Sequence, residues 1–160
     1  MTRWFAALTV AIFVAPPAFT QDKPQPKDSA AIEKCIKAKT KVGRNWLTET
    51  CIGVIADTCA KDDGTDREVI DCYDRELAVW DDMLNKSYQT LLKALDKEQQ
   101  DKLREMQRAW IESRDKTCEF LYHYFGGIMA NPMIAACKTR TTGRQALYLR
   151  GLAEDVRDRK

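Results

Sequence analysis

Cysteine is the residue type in this chain with the clearest chemistry. An even number of cysteines in a small exported chain predicts a disulfide framework. A metal site is the competing interpretation, but the spacings contain no C-x₂₋₄-C pair of the kind that structural zinc sites use. The six cysteines are Cys35, Cys51, Cys59, Cys72, Cys118 and Cys137.

Residue types that support catalysis are sparse. His123 is the only histidine, and there is no Gly-x-Ser-x-Gly motif, histidine pair or phosphate-binding glycine loop. Asp81 and Asp82 are neighbours, so on a helix they point apart rather than facing each other across a cleft, as glycosidase carboxylates do. We therefore expect no enzymatic activity, no cofactor and no metal.

The first twenty residues have the pattern of an export signal. Arg3 precedes an uncharged run over residues 4–15, which is shorter than the roughly 20 residues of a spanning helix. We expect cleavage near residues 18–20, a periplasmic or secreted protein, and no membrane insertion of the mature form. Residues 21–28 are expected to form a flexible linker because they combine prolines with polar residues.

The charge is nearly balanced. The chain has 26 Lys and Arg residues against 24 Asp and Glu, a formal charge of +2, and loss of Arg3 would lower it to +1. Since no segment carries a single sign, we do not expect electrostatic capture of nucleic acid.

Two short helices are predicted at the start of the mature chain. Asp28 or Ser29 can cap the first helix, which Gly43 would end. Apolar residues at helical spacing predict the second over residues 46–59, and residues 61–64 have the composition of a turn.

Three longer amphipathic helices are predicted to follow. Thr65 and Glu68 form a capping box before the first, and Asp96 and Gln99 form a similar start for the second. Apolar and motif residues recur at steps of three and four in each helix. The core-facing stripes are expected to be Leu77, Trp80, Leu84, Tyr88, Leu91 and Leu95; then Leu103, Met106, Trp110, Arg114, Cys118 and Leu121; then Ile134, Cys137, Thr141, Arg144, Tyr148 and Leu152.

Glycine and proline set the remaining boundaries. Gly126 and Gly127 should end the second long helix, and Asn131 before Pro132 resembles the start of the third, which Gly143 weakens. No segment alternates in the manner of a strand. The sequence therefore predicts an all-α bundle of three main helices plus one or two short N-terminal ones.

The disulfide pairing follows from this arrangement only as a preference, because six cysteines allow 15 pairings. A hairpin through the Gly-Gly turn favours Cys118–Cys137, and the turn at residues 61–64 favours Cys59–Cys72. Cys35 and Cys51 are then left to pair. Each loop would contribute about 3 kcal/mol by the loop-entropy argument.

Two motifs carry a family resemblance. Residues 81–88 read D-x-x-L-N-x-x-Y, and residues 107–118 read Q-R-A-W-x-x-x-R-D-x-x-C. With the later T-x-x-R-x-x-x-Y over 141–148, they resemble the lysozyme inhibitor LprI-like domains over about residues 72–152. The resemblance implies a small helical, exported bacterial domain over residues 65–160, after an N-terminal helical extension over residues 29–64. The family's namesake is a lipoprotein, whereas no cysteine lies at the expected cleavage site here.

Polar motif residues on core-facing stripes must find partners. We expect Arg114 to pair with Asp81 and hydrogen-bond Asn85 in a structural network, with direct contact to a partner protein as the alternative. Trp80 and Trp110 are expected to be core aromatics. The network residues are Asp81, Asn85, Tyr88, Gln107, Arg114, Asp115, Thr141 and Arg144.

The connection between the last two helices is apolar and aromatic. Either Phe125 and Ile128 fold back to cap the bundle, or the segment is exposed and binds a partner. A Cys118–Cys137 disulfide would stiffen it and reduce the entropic cost of binding. The candidate partner-binding residues are Tyr122, Tyr124, Phe125, Ile128 and Met129.

The resemblance implies that a lysozyme-type muramidase, which cuts peptidoglycan, is the protein partner, blocked by a rigid surface rather than by chemistry. The near-neutral charge favours shape-driven binding over electrostatic steering. The alternative function is a cell-envelope interaction module for another protein or a peptidoglycan fragment.

Overall fold

The part of the chain that the structure describes folds into five α-helices and two short 3-10 helices. The computed structural model describes residues 24–40, 45–60 and 64–159. No strand occurs within those ranges, and the prediction of an all-α bundle is confirmed. The elements are α1 (Pro26–Thr40), a 3-10 helix (Asn45–Cys51), α2 (Ala56–Cys59), α3 (Asp66–Ala94), α4 (Lys97–Phe125), a 3-10 helix (Gly127–Ala130) and α5 (Asn131–Asp158). The expected export signal, Gly43 and turn residues 61–63 lie outside these ranges.

Local signals set the starts of α3 and α4. Glu68 N–H donates to Thr65 Oγ1, and the Glu68 carboxylate accepts from Thr65 N–H, so the predicted capping box is confirmed. Asp96 and Gln99 form the same reciprocal pair before α4. None of the described helices is long and apolar enough to cross a membrane.

The helices α3 and α5 form the centre of the bundle and share its most extensive packing. Small residues on α5 allow this close approach. A Cβ at Gly143 would lie 3.0 Å from Ile52 and 3.3 Å from Trp80, so this glycine sits inside a continuous helix at a point of contact. The buried residues of α5 are Ala135, Ala136, Thr139, Thr142, Gly143, Ala146, Leu149 and Ala153.

The predicted stripe of α5 is therefore wrong in phase. Arg144 and Tyr148, expected to face the core, are exposed, and Tyr148 is 54% accessible. Apolar and motif residues suggested the stripe, but the tight contact with α3 buries mainly the small residues of α5. On α3 the prediction is confirmed at Trp80, which is fully buried, while Trp110 on α4 is only half-buried at the edge of the core.

The N-terminal segment differs from its prediction in two ways. The helix α1 begins at Pro26, within the expected linker, and Asp28 does not cap it but lies buried inside its first turn. Arg75 satisfies this carboxylate, with Nη2 donating to Asp28 Oδ1 at 2.8 Å and Nε to Oδ2 at 3.3 Å. The single helix expected over 46–59 is instead a 3-10 helix, a turn and α2, because Gly53 adopts a φ of +106°.

A buried carboxylate fixes that turn. Glu76 is fully buried on α3, and its Oε1 accepts from Gly53 N–H at 2.6 Å and from Trp80 Nε1 at 2.8 Å. Its Oε2 accepts from Ile55 N–H and Ala56 N–H, both at 2.9 Å. The charge of Glu76 is thus met by four donors, and it ties the N-terminal segment to the central helix.

Three disulfides complete the framework. They join Cys35 to Cys51, Cys59 to Cys72 and Cys118 to Cys137, the three pairs that the helix arrangement favoured. The paired Cα atoms lie 5.8, 5.7 and 5.6 Å apart, within the normal range. Because every cysteine is bonded, no thiolate is available for a metal or for nucleophilic attack.

Candidate functional site

An exposed apolar surface lies at the end of the bundle where α4 turns into α5. The helix α4 ends at Phe125 because Gly126 and Gly127 have φ values of +81° and +71°, which other residues rarely adopt. A 3-10 turn follows, and α5 begins at Asn131 with Pro132 in its first turn. Asn131 is thus the first helical residue and not the expected N-cap, which is Ala130.

We call this surface the apolar tip. Its side chains point away from the core, and the alternative in which Phe125 and Ile128 fold back is wrong: they are 45% and 75% exposed. Within the same connection, Ala130 is fully buried. The apolar tip comprises Phe120, Tyr122, Tyr124, Phe125, Ile128, Met129 and Met133.

Contacts within the apolar tip support its shape without burying it. The rings of Tyr124 and Phe125 meet edge to face, with centroids 4.9 Å apart, and Phe120 packs against Tyr124 at 6.0 Å. The exposed ring of His123 meets Tyr122 edge-on at 5.8 Å. Behind them, the Cys118–Cys137 bond joins the last turns of α4 to the first turns of α5. The disulfide therefore ties the base of the apolar tip to both helices, while the side chains of the tip remain exposed.

A second surface, the α3–α4 groove, lies between those two helices. The antiparallel helices α3 and α4 contact each other much less than α3 and α5 do, which leaves an open groove of about 550 Å³. Its walls combine three arginines with amides, one carboxylate and apolar side chains. The lining residues are Asp81, Leu84, Asn85 and Tyr88 from α3, and Arg104, Gln107, Arg108, Trp110, Ile111 and Arg114 from α4.

The expected pairing of Arg114 with Asp81 and Asn85 is wrong. Arg114 donates to Asp115 Oδ1 at 2.9 Å from Nε and lies 5.0 Å above the ring of Trp110. Asn85 Nδ2 donates to Asp81 Oδ2 at 3.0 Å along its own helix. Arg114 and Asn85 therefore each find their partner on their own helix and not across the groove.

The other expected network residues lie apart from one another. Gln107 is buried and accepts from Gln145 Nε2 at 2.5 Å, a partner that the sequence analysis missed. Thr141 donates to the backbone oxygen of Cys137 at 2.8 Å, which is ordinary for a helical threonine. Arg144 forms an exposed ion pair with Glu49 at 3.2 Å. The eight residues therefore form several local contacts and not one network.

Two of the groove arginines are committed to carboxylates and one is not. Arg104 Nη1 lies 2.8 Å from Asp101, and Arg114 Nη2 lies 2.8 Å from Asp115. Hydrogen bonds from Lys97 and Arg104 hold the pKa of the Asp101 carboxyl below its ordinary value. Arg108 donates only to the backbone oxygen of Arg104 and has no ion pair among the described residues. Arg108 is thus the groove arginine without a carboxylate partner, while the Asp81 carboxylate of the same groove accepts only from the neutral Asn85 among the described residues.

Comparison with known families bears on both surfaces. The family model for lysozyme inhibitor LprI matches residues 56–149, more than half of the chain. The chain belongs to the lysozyme inhibitor LprI family. The matched region runs from α2 into α5, so it starts earlier than the resemblance at residue 72 suggested and includes both partners of the Cys59–Cys72 bond. The matched region contains both motif segments that line the α3–α4 groove. It also contains all of α4 and most of α5, the two helices that carry the apolar tip.

No curated protein and no solved structure matches the chain. Membership in an inhibitor family agrees with the expectation of a binding protein without enzymatic activity, at the level of the family. The three disulfides fit a location outside the cytoplasm, where such bonds persist.

Proposed function

We propose that this LprI-family protein is exported and inhibits a peptidoglycan-cleaving muramidase by placing the apolar tip in the enzyme's substrate cleft. The observation that carries this proposal is the exposure of the apolar tip: Ile128, Met129 and Tyr124 are 75%, 70% and 69% accessible. Contiguous exposed apolar surface of this kind marks interaction sites in soluble proteins. The family description supplies the class of partner.

Rigidity supports an occluding role. A binding surface that is already ordered loses less conformational entropy on association. The Cys118–Cys137 bond and the buried Ala130 fix the base of the apolar tip, while ring contacts order its aromatic residues. Aromatic and methionine side chains are also enriched in the cores of protein interfaces. Inhibition would then require no chemistry from this chain.

The test is lysis of bacterial cell walls by lysozyme with the oxidised protein. We expect dose-dependent inhibition that Ile128→Asp abolishes and Tyr124→Ala weakens. Tyr148→Ala is the matched control, because Tyr148 is an exposed tyrosine on α5 outside the apolar tip. Full inhibition by folded Ile128→Asp would remove the apolar tip from the mechanism, and no inhibition by wild-type protein at tens of micromolar would overturn the proposal.

Export carries its own test. We propose that residues 1–20 are removed on the way to the periplasm or the medium and that the three bonds form there. Intact mass of the protein recovered from that compartment should show cleavage near residues 18–20 and six fewer hydrogens than the reduced chain. Recovery of the full-length chain in the cytoplasm would contradict this proposal.

A further inference from the structure

The α3–α4 groove has no role in occlusion by the apolar tip, yet the residues of the two family motifs line it. Asp81, Leu84, Asn85 and Tyr88 come from the first motif. Gln107, Arg108, Trp110 and Arg114 come from the second. The packing of the bundle does not require the exposed members of this set: Asn85 and Arg108 contribute nothing to the core. Their common location therefore calls for a separate explanation.

Charge defines one part of a suitable ligand. The groove is lined by three arginines and one aspartate, and Arg108 is the arginine without a carboxylate partner in the described part of the chain. A guanidinium presents several N–H donors in one plane and matches a carboxylate with two parallel hydrogen bonds. The ligand should therefore carry a carboxylate that reaches Arg108.

The rest of the lining defines the body of the ligand. Trp110 and Ile111 supply apolar surface on α4, and Tyr88 adds to it on α3, where the Asp81–Asn85 pair supplies acceptors and a donor. A pyranose ring combines an apolar C–H face with a rim of hydroxyl groups, so it suits a site in which apolar and hydrogen-bonding side chains lie side by side. The volume of about 550 Å³ lies within the roughly 300–1,000 Å³ of small-molecule sites.

We propose that the α3–α4 groove binds an acidic sugar, with its carboxylate on Arg108, its ring against Trp110 and its hydroxyl groups on Asp81 and Asn85. This activity is distinct from muramidase inhibition, because none of these residues belongs to the apolar tip. It gives the protein a direct contact with a carboxylate-bearing glycan.

Three probes separate the parts of this ligand. N-acetylmuramic acid carries a ring and a carboxylate, N-acetylglucosamine carries the same ring without the carboxylate, and lactate carries the carboxylate without the ring. Each is titrated into the oxidised full-length mature protein at low salt while the indole N–H resonance of Trp110 is followed by NMR. We expect saturable shifts with N-acetylmuramic acid and much smaller shifts with the other two.

Variants locate the site. Arg108→Gln should weaken binding of N-acetylmuramic acid by roughly fivefold, the effect of losing one partly exposed ion pair. Arg67→Gln removes the same charge from the exposed first turn of α3 and should leave the affinity unchanged. Equal shifts with N-acetylglucosamine or with lactate, an unchanged affinity in folded Arg108→Gln, or no shift with any probe would each overturn the proposal.

Discussion

Replacing Glu76 by glutamine should strongly destabilise the fold, although the two side chains have nearly the same shape. Each carboxylate oxygen of Glu76 accepts from two donors: Gly53 N–H and Trp80 Nε1 on one, Ile55 N–H and Ala56 N–H on the other. Glutamine keeps one oxygen and places an NH₂ group against the other pair. Two buried donors then lose their acceptor and face another donor.

The magnitude follows from that count. A hydrogen bond to a charged group contributes about 1.5–3 kcal/mol, so the loss of two gives at least about 3 kcal/mol. A domain of this size has a total stability of about 5–15 kcal/mol. For such a chain 1 kcal/mol corresponds to about 3 to 4 °C, so the melting temperature of Glu76→Gln should fall by about 10 °C.

The assay is thermal unfolding of the oxidised protein followed by circular dichroism. Amide hydrogen exchange at Gly53, Ile55 and Ala56 adds a local measurement, because these N–H groups should lose protection first. Glu112→Gln is the control, since Glu112 is an exposed residue of α4 that pairs only with Lys116. Loss of an exposed ion pair, as in Glu112→Gln, changes stability by at most about 1 kcal/mol. A melting temperature of Glu76→Gln within about 2 °C of that of Glu112→Gln would therefore refute the argument that the buried donors of Glu76 require its carboxylate.

Three further changes test single features of the fold by the same thermal melts. Thr142 Oγ1 is buried with no hydrogen-bond partner among the described residues. Thr142→Val should therefore raise the free energy of unfolding by about 1 kcal/mol. A lower melting temperature of the variant would show that the hydroxyl group does form a hydrogen bond in the folded protein. Gly53→Ala should cost about 1–3 kcal/mol because φ is +106°, a conformation that residues with a Cβ rarely adopt, and the Asp57 carboxylate would also have to move; an unchanged melt would mean that the turn relaxes freely. Partial burial, and then the charge of Asp71, raise the pKa of Asp74, so the stability linked to its protonated form is present at low pH and lost as pH rises through the folded-state pKa. Asp74→Asn should therefore be more stable than wild type at pH 7 but not at pH 3, and an equal difference at both values would contradict this.

Features encoded by neighbouring residues were predictable from the sequence. The capping boxes at Thr65 and Asp96 depend on residues three positions apart, and the break at Gly126 depends on a conformation that glycine adopts readily. The disulfide pairs could be predicted for the same reason, because each bond closes a short segment between successive cysteines. The family motifs were visible as contiguous patterns, and the family match confirms what they indicated.

Features that depend on the distance between helices were not predictable. The sequence places Arg114 and Asp81 on facing helices, but it does not state that α3 and α4 leave a groove between them. The phase of α5 was missed because the stripe was drawn through the motif residues Thr141, Arg144 and Tyr148, whereas close packing on α3 buries mainly alanine, threonine and glycine.

The burial of Glu76 could have been predicted from its spacing on α3. Glu76 lies four residues after Cys72 and four before Trp80, both buried, so it falls on the core-facing stripe of α3. A charged residue on such a stripe requires several donors. Three of its four donors, the N–H groups of Gly53, Ile55 and Ala56, come from a segment that was predicted as part of one helix over 46–59.

The connectivity of the three disulfides has a consequence for how the chain acquires them. Each bond joins a cysteine to the next one along the chain, with separations of 16, 13 and 19 residues. A chain that enters an oxidising compartment N-terminus first would present its thiols in the order in which they pair. Simple sequential oxidation then yields the native bonds, and maturation of this protein should not depend on an enzyme that reshuffles wrong pairs.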